Sequence, residues 1–232
     1  MKNKFKILIL VFLVILFLYI FSFFISYIFN LYLLKNFQNN ESLSASDIIY
    51  NEISKDKISV LYNPLSPKFG NLDSENKIVM FLDFDCEFCK EAYPDLKRIM
   101  LEYKNKVVFE FRNLPLTTIH PKSIEDANLF MCASLNSNYF LEMMDLFFVE
   151  NINFLDFSDI EKYFKSFGFS SSEISKISTC YKNSTYNNLI IKDVYNASDL
   201  DLSGTPTFFV NGYKFSGSLT YENWKEILSF LD

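Results

Sequence analysis

The body of this 232-residue chain has no cluster of lysine and arginine, and it holds one histidine, His120, and four cysteines. With Lys2, Lys4 and Lys6 set aside, 19 of the 22 basic residues face 28 acidic ones. An acidic body without a basic patch argues against nucleic acid as a partner. No internal repeat and no long low-complexity tract occurs. The length therefore suits one domain with an anchor, or at most two small domains. There is one Cys-x-x-C, at Cys86 and Cys89, and no second copy. A zinc site would have to recruit Cys132, Cys180 or His120, which lie 31 to 94 residues from the pair. That spacing argues against zinc, and neither a metal nor a cofactor is expected.

The amino terminus lacks charge in a different way. Residues 7–34 form an uncharged apolar run of 28, and no acid precedes Glu41. As a helix the run would span about 42 Å, against about 30 Å for a hydrocarbon core, so it can cross a membrane with some tilt. Lys2, Lys4 and Lys6 precede it. The positive-inside rule then holds residues 1–6 in the cytoplasm and sends the rest outward. A cleaved signal peptide is the rival reading. Its apolar core would be roughly 7–15 residues and would be followed by a small-residue site, whereas only the weak "SLSAS" at 42–46 follows here. The reading is an uncleaved signal anchor over 7–34, with the remainder on the extracytoplasmic side. Outside the cytoplasm disulfides persist, so four cysteines are expected to form two pairs.

Half the residues are apolar and 27 are Phe, ample for a core. Residues 35–57 are polar and read as a tether, and one domain follows over 58–232. "ISVLYN" (58–63) predicts a strand, with Pro64, Pro67, Gly70 and Asn71 as the turn after it. "KIVMFLDF" (77–84) predicts a central strand. Cys89, Ala92, Tyr93, Leu96, Met100 and Tyr103 share one face of a helix expected over about 87–104. "VVFEFRNL" (107–114) alternates as a strand. Residues 121–200 lack strand runs and read as several helices, with breaks near 136–137, 151–153 and 168–172. Their many aromatics, Tyr139, Phe140, Phe147, Phe148, Phe154 and Phe157 among them, read chiefly as core. "PTFFVNGYKFSG" (206–217) predicts a hairpin turning at Asn211-Gly212. "TYENWKEILSFL" (220–231) closes the chain as a helix with Trp224, Leu228 and Leu231 on one face. The order implies an α/β fold, a mixed sheet covered by helices.

Cys86 ends a strand and opens a helix. A thiolate there meets free backbone N–H groups and the positive end of the helix dipole, the setting that lowers a thiol pKa. Cys89 follows three residues on and can close a small ring. The first sulfur would attack a disulfide and the second would resolve the mixed disulfide. Lys90 adds a positive charge nearby. A purely structural clip is the bland alternative. His120, before a proline, reads as a turn or capping residue in preference to a proton carrier.

Two stretches together carry a resemblance. "FLDFDCEFCKEAYPDL", with Pro94 five residues after Cys89, resembles the active-site strand and helix of thioredoxin-fold proteins. "SGTPTFFVNGYKFSG" (203–217) resembles their cis-proline segment. "FRNLPLTTIHP" (111–121) and the helical block after it are similar to the DsbA-like branch. The resemblance covers about residues 58–232. It implies a thioredoxin fold with a helical insertion over about 121–200, Cys86 as nucleophile, Cys89 as resolving cysteine, Pro206 as the cis-proline, and Thr205 as a backbone partner for substrate peptide. Read on its own, Pro206 is equally an ordinary trans proline starting an edge strand. Two positions depart from the pattern. Met80 stands where many relatives carry a buried acid, and Glu87-Phe88 stands where strong oxidants have Pro-His.

The resemblance also implies a function: a membrane-anchored, exported thiol–disulfide oxidoreductase that forms disulfides in cysteine-containing exported proteins, regenerated by a membrane redox partner. A reductase or isomerase is the first alternative. A tethered peptide-binding or assembly module with structural cysteines is the second. Glu87 is expected to raise the Cys86 pKa while the helix dipole and Lys90 lower it. The potential would then fall between the extremes of about −120 and −270 mV. Cys132 and Cys180 are expected to form a second, structural disulfide like that of some DsbA-like relatives, with two buried free thiols as the alternative.

Overall fold

The computed structural model describes residues 51–134, 139–150, 152 and 157–231, together with Tyr19, Phe21, Phe24, Ile25 and Ile28. The chain divides into two compact units, residues 1–43 and 44–232. The five described residues of the first unit are helical and exposed. The anchor expected over 7–34 otherwise lies outside the described residues, as does the tether up to residue 50. Among the described residues no helix is long and apolar enough to cross a membrane.

The second unit runs β1 (Asn51–Glu52), α1 (Ile58–Leu61), β2 (Lys68–Gly70), β3 (Lys77–Leu82), α2 (Glu87–Tyr103), β4 (Val108–Asn113), α3 (Ser123–Ser134), α4 (Phe140–Phe148), α5 (Phe157–Ser166), α6 (Ser171–Lys182), α7 (Asn187–Asp199), β5 (Thr207–Val210), β6 (Tyr213–Ser216) and α8 (Tyr221–Ile227). The strands form one sheet in the order β1-β6-β5-β3-β4-β2. β3 and β4 are parallel and the other pairs antiparallel. β3 is central, as its apolar run predicts. Ile78, Met80 and Leu82 face a core built with α2, α8 and the helical block. Val79 and Phe81 face a second core with Phe209, Ala197 and Leu200. Burial on both faces explains the unbroken apolar run.

Two expectations need correction. Residues 58–61 are a helical turn and not a strand. Its terminal carbonyls, on Val60 and Leu61, accept hydrogen bonds from the buried guanidinium of Arg112, a role for free helix-end oxygens that a paired strand would not leave open. The strand at that sheet edge is instead β2, inside the stretch read as a turn. Gly70 ends it because a Cβ there would stand 2.3 Å from the Val107 carbonyl oxygen, and its φ is +97°. The sheet also begins earlier than expected: Asn51–Glu52 pairs with β6 inside the stretch read as tether.

β4 alternates in sequence but is buried throughout. Its polar side chains reach a buried network. Arg112 Nε donates to Asp193 Oδ1 at 2.8 Å, and the Asn113 backbone N–H and side-chain amide donate to Asp193 Oδ2 at 3.0 and 2.9 Å. These bonds lock α7 onto the sheet. The hairpin turns as its Asn-Gly signal predicts, with φ of 49° at Asn211 and 93° at Gly212. The Lys77 N–H donates to Asn211 Oδ1, which fastens this turn to the start of β3.

The helical block comprises α3 to α7. Phe140, Phe147 and Phe148 are buried in the main core, as expected. A disulfide joins Cys132 on α3 to Cys180 on α6, with Cα atoms 5.8 Å apart and a sequence separation of 48. Both cysteines are half-buried. Closing a loop of that length should contribute about 4 kcal/mol through the unfolded chain. The double variant Cys132→Ser/Cys180→Ser should therefore lose about 3–4 kcal/mol in denaturant unfolding, with Cys86 reactivity unchanged.

Candidate active site

Cys86 is the residue before the first turn of α2, in extended conformation, and Glu87 opens the helix. Its N–H donates to the Asp83 carbonyl at 3.1 Å and its carbonyl accepts from Lys90 N–H at 3.1 Å. The loop from β3 is anchored by Phe84, whose ring lies 4.2 Å from Phe147, 4.9 Å from Phe130 and 5.2 Å from Phe111. Aromatic packing thus fixes the cysteine loop between sheet and helical block. α2 continues unbroken through Pro94 to Tyr103. It is tied to α4 where Asp145 Oδ1 accepts from the Tyr93 hydroxyl and from Lys97, each at 2.7 Å.

Cys86 and Cys89 are both free thiols and both buried, Cys86 nearer the surface. Across from them stands the Thr205–Pro206 peptide, which is cis. The Cys86 thiol donates to the Thr205 carbonyl at 3.4 Å. Thr205 Oγ1 is buried with no hydrogen bond of normal geometry. It nevertheless favours the thiolate form of both sulfurs. The expected quartet of Cys86, Cys89, Thr205 and Pro206 therefore meets at one place, drawn from segments some 120 residues apart.

The two sulfurs have opposite acidities. The Cys86 pKa is lowered to about 6, first by the hydrogen bond from the Cys89 thiol, against the cost of burial, then by Thr205 and the backbone N–H groups of Cys89 and Phe88. Burial holds the Cys89 thiol well above its ordinary value, helped by its bond to Cys86 and by the adjacent Cys86 charge. One proton shared between two sulfurs favours the thiolate at Cys86 and the thiol at Cys89.

The expected modulators are less central. Glu87 is exposed, and neither Glu87 nor Lys90 is among the main influences on Cys86. Donors at the helix start hold the thiolate, and solvent weakens what Glu87 contributes. Glu87→Gln should accordingly shift the redox potential by no more than about 10–20 mV in a glutathione titration, given up to ~1 kcal/mol for an exposed charge. Phe88 is 64% exposed beside the pair. Its carbonyl accepts from the Ser218 hydroxyl at 3.0 Å.

Met80 is fully buried in the apolar layer, so no acid occupies that position. Two acids that sequence reasoning passed over stand nearby. Asp83 is buried, and its Oδ2 lies 2.7 Å from His120 Nδ1 and accepts from Leu116 N–H at 2.8 Å. The His120 backbone does serve the turn before α3, accepting from Ser123, but its ring reaches the cysteine loop. Asp126, on α3, is buried with Oδ2 unpartnered. Burial first, then the charge of Asp85, raise its pKa to about 8. For Asp83 the sequence signal was its place in "DFDC", three residues before Cys86; Asp126 carried none. Among the described residues no cluster is suited to a metal ion.

Comparison with known proteins gives a consistent picture. A family model described as Thioredoxin matches residues 63–229. The solved structure of the thiol–disulfide exchange protein α-DsbA2 from Wolbachia pipientis is 22% identical, with a TM-score of 0.59 over 77% of this chain and 95% of that one. A periplasmic thioredoxin-like protein from Salmonella enterica serovar Typhimurium is 16% identical, with a TM-score of 0.56 over 78% and 98%. At these identities the likeness establishes the fold. Among curated proteins, the Na(+)/H(+) antiporter NhaA 1 of Mycolicibacterium vanbaalenii is 24% identical over 148 residues, 64% of this chain and 24% of that protein. The chain thus spans about a quarter of the length of the curated relatives it matches.

Proposed function

The chain belongs to the thioredoxin family, and on that premise we propose that it is a thiol–disulfide oxidoreductase acting through Cys86 and Cys89, working as a disulfide-forming enzyme on exported proteins. The observation that carries this reading is the meeting of the free Cys86 and Cys89 at the start of α2 with the Thr205–Pro206 segment, the Cys86 thiol 3.4 Å from the Thr205 carbonyl. A protein thiolate would attack Cys86 of the oxidised pair. Cys89 leaves and takes up a proton. A second substrate thiolate then attacks the mixed disulfide, and Cys86 leaves as a stable thiolate. Substrate is oxidised by two electrons and the pair is reduced by two.

The leaving group supports this direction. A thiol at about 6 instead of its ordinary 9.0 stabilises the reduced form at pH 7 by about 1.4 kcal/mol, or about 30 mV toward the oxidising side. Thioredoxin, near 7, and DsbA, near 3.5, bracket Cys86 in thiol pKa. A potential between theirs of about −270 and −120 mV is the expectation. Thr205 would offer its backbone to the substrate chain beside Pro206. The apolar run over 7–34 supports anchoring in the inner membrane, with this unit outside and a membrane redox partner to reoxidise it.

Two assays on the soluble unit test this reading. Oxidative refolding of a reduced, disulfide-containing substrate should be accelerated by the oxidised protein. Reduction of a disulfide substrate should be slow by comparison. Cys89→Ala should accumulate mixed disulfides with substrate through Cys86, visible on non-reducing gels. Faster reduction than oxidation would assign the reductase direction, and activity surviving Cys86→Ser would favour a binding module with structural cysteines.

A further inference from the structure

The start of α2 is held from outside the helix. A side chain at the position before a helix receives the N–H groups of the second and third helical residues. With Cys86 in that position, these are the N–H groups of Phe88 and Cys89. The neutral thiol makes no such bond and donates instead to the Thr205 carbonyl. A thiolate has no proton to donate and turns to these donors, both of which lower the Cys86 pKa. The Cys89 N–H belongs to the same peptide group as the Phe88 carbonyl. Whatever bonds that carbonyl therefore acts on the donor at its other end.

Ser218 bonds it. Its hydroxyl donates to the Phe88 carbonyl at 3.0 Å. Within a helix this oxygen accepts from the N–H four residues on, and its second lone pair leaves room for the serine. Ser218 sits in the link of residues 217–220 between β6 and α8. The link is pinned on both sides. Gly217 N–H donates to the Pro206 carbonyl at 2.9 Å, and Leu219 is buried in the main core. Thr220 caps α8, and Tyr221 N–H donates to Asp95 Oδ2 at 3.0 Å. Asp95 lies on α2 itself. One short link thus joins the cis-proline strand to the cysteine helix. Ser218 is exposed, but a fixed backbone carries its hydroxyl. Water bonding the same oxygen would lose freedom that the pinned serine has already given up.

We propose that Ser218 is a positioning residue of the reactive centre: its hydroxyl holds and polarises the peptide between Phe88 and Cys89, so that a link outside α2 sets how well the start of that helix stabilises the Cys86 thiolate. This rests on the reading of Cys86 as the nucleophile. Ser218 acts through the peptide and takes no proton from either sulfur.

The surrounding charges leave this role open. Within four residues of Cys86 the charged side chains are Asp83, Asp85, Glu87 and Lys90. His120 is bonded to Asp83. α3 brings Asp126 within electrostatic reach of Asp83 and Asp85, with Lys122 beside it. Residues 203–206 and 217–220 carry no charge. None of these charged groups is among the main influences on Cys86, which are hydrogen-bond donors and burial. A group that strengthens one donor is then felt at the sulfur. Hydrogen bonds in a chain polarise one another by roughly 10–30% per bond. For a bond to a charged acceptor this corresponds to about a two- to threefold change in the acidity constant. A stabilised thiolate favours the reduced pair, so Ser218 makes the protein a stronger oxidant.

The test is iodoacetamide labelling of Cys86 in the reduced full chain in detergent, read by peptide mapping from pH 4 to 10, with a glutathione equilibrium and a melting curve beside it. Ser218→Ala should raise the Cys86 midpoint by about 0.3–0.5 in pH and make the reduced pair about two- to threefold easier to oxidise with glutathione. Ser218→Thr keeps the hydroxyl and should keep the wild-type midpoint. Both variants should melt close to wild type. An unchanged midpoint in Ser218→Ala would overturn the proposal. So would an equal shift in both variants, which would mean that the link only shapes the helix start. A wild-type midpoint at the ordinary 9.0 would overturn the reading of Cys86 and the proposal with it.

Discussion

Cys86→Ser should bring disulfide exchange to the uncatalysed background, a loss of roughly 10³-fold or more, while thermal unfolding stays close to wild type. No other thiol can take over. Cys89 is buried and protonated, and Cys132 and Cys180 are bridged. The size of the loss comes from more than thiolate supply. At pH 7 a thiol of pKa about 6 is roughly 90% ionised, against roughly 1% for one at 9.0, but nucleophilicity falls by about 0.4–0.5 log units for each unit of pKa. Some twentyfold of the gain is thereby returned, leaving about fourfold. The larger advantage is in departure: a sulfur of low pKa leaves faster and drives the mixed disulfide toward product. A serine provides neither attack nor departure. Turnover of a peptide disulfide, with a melting curve beside it, separates lost chemistry from lost fold.

Asp126→Asn should stabilise the protein, and the gain should grow with pH. The folded carboxyl holds its proton to about 8, against an ordinary value of 3.8. The folded state therefore binds this proton more tightly than the unfolded chain does. Stability associated with it is fully present below about 4 and is lost progressively as pH rises to about 8. At 1.36 kcal/mol per unit, the loss at pH 7 is of order 4 kcal/mol. An amide keeps the shape without the charge. The variant should match wild type near pH 4, gain about 1–2 kcal/mol near pH 5, and gain a few kcal/mol at pH 8. Denaturant unfolding at the three values measures this. A difference independent of pH would mean that the carboxyl is not buried in its charged form's disfavour.

The reactive centre was legible because its chemistry is local. A strand, a Cys-x-x-C and a helical face of Cys89, Ala92, Tyr93, Leu96, Met100 and Tyr103 lie in one continuous stretch, and each constrains the next. The hairpin was equally legible, because Asn211 and Gly212 tolerate the left-handed backbone that its turn needs. The misread elements depend on distant partners. Ile58 to Asn63 has β-type residues, yet Arg112 from another strand claims its helix-end carbonyls. β2 is three residues long and owes its place to pairing with β4, which no local pattern encodes. His120 and Asp83 are separated by 37 residues. A histidine before a proline says nothing of which carboxylate its ring will meet. Asp126 looks like an ordinary acid in the first turn of a helix, and only the packing of α3 against the cysteine loop buries it.

The central claim is that Cys86 is a nucleophile made acidic by its place at the start of α2, with Cys89 withheld beneath it. The rate of alkylation of the reduced protein by iodoacetamide, measured from pH 4 to 10 with peptide mapping, tests this most directly. The account predicts rapid labelling of Cys86 with a midpoint at about 6 and little labelling of Cys89 over the same interval. A midpoint at the ordinary thiol value of 9.0, or equal labelling of the two cysteines, would contradict it.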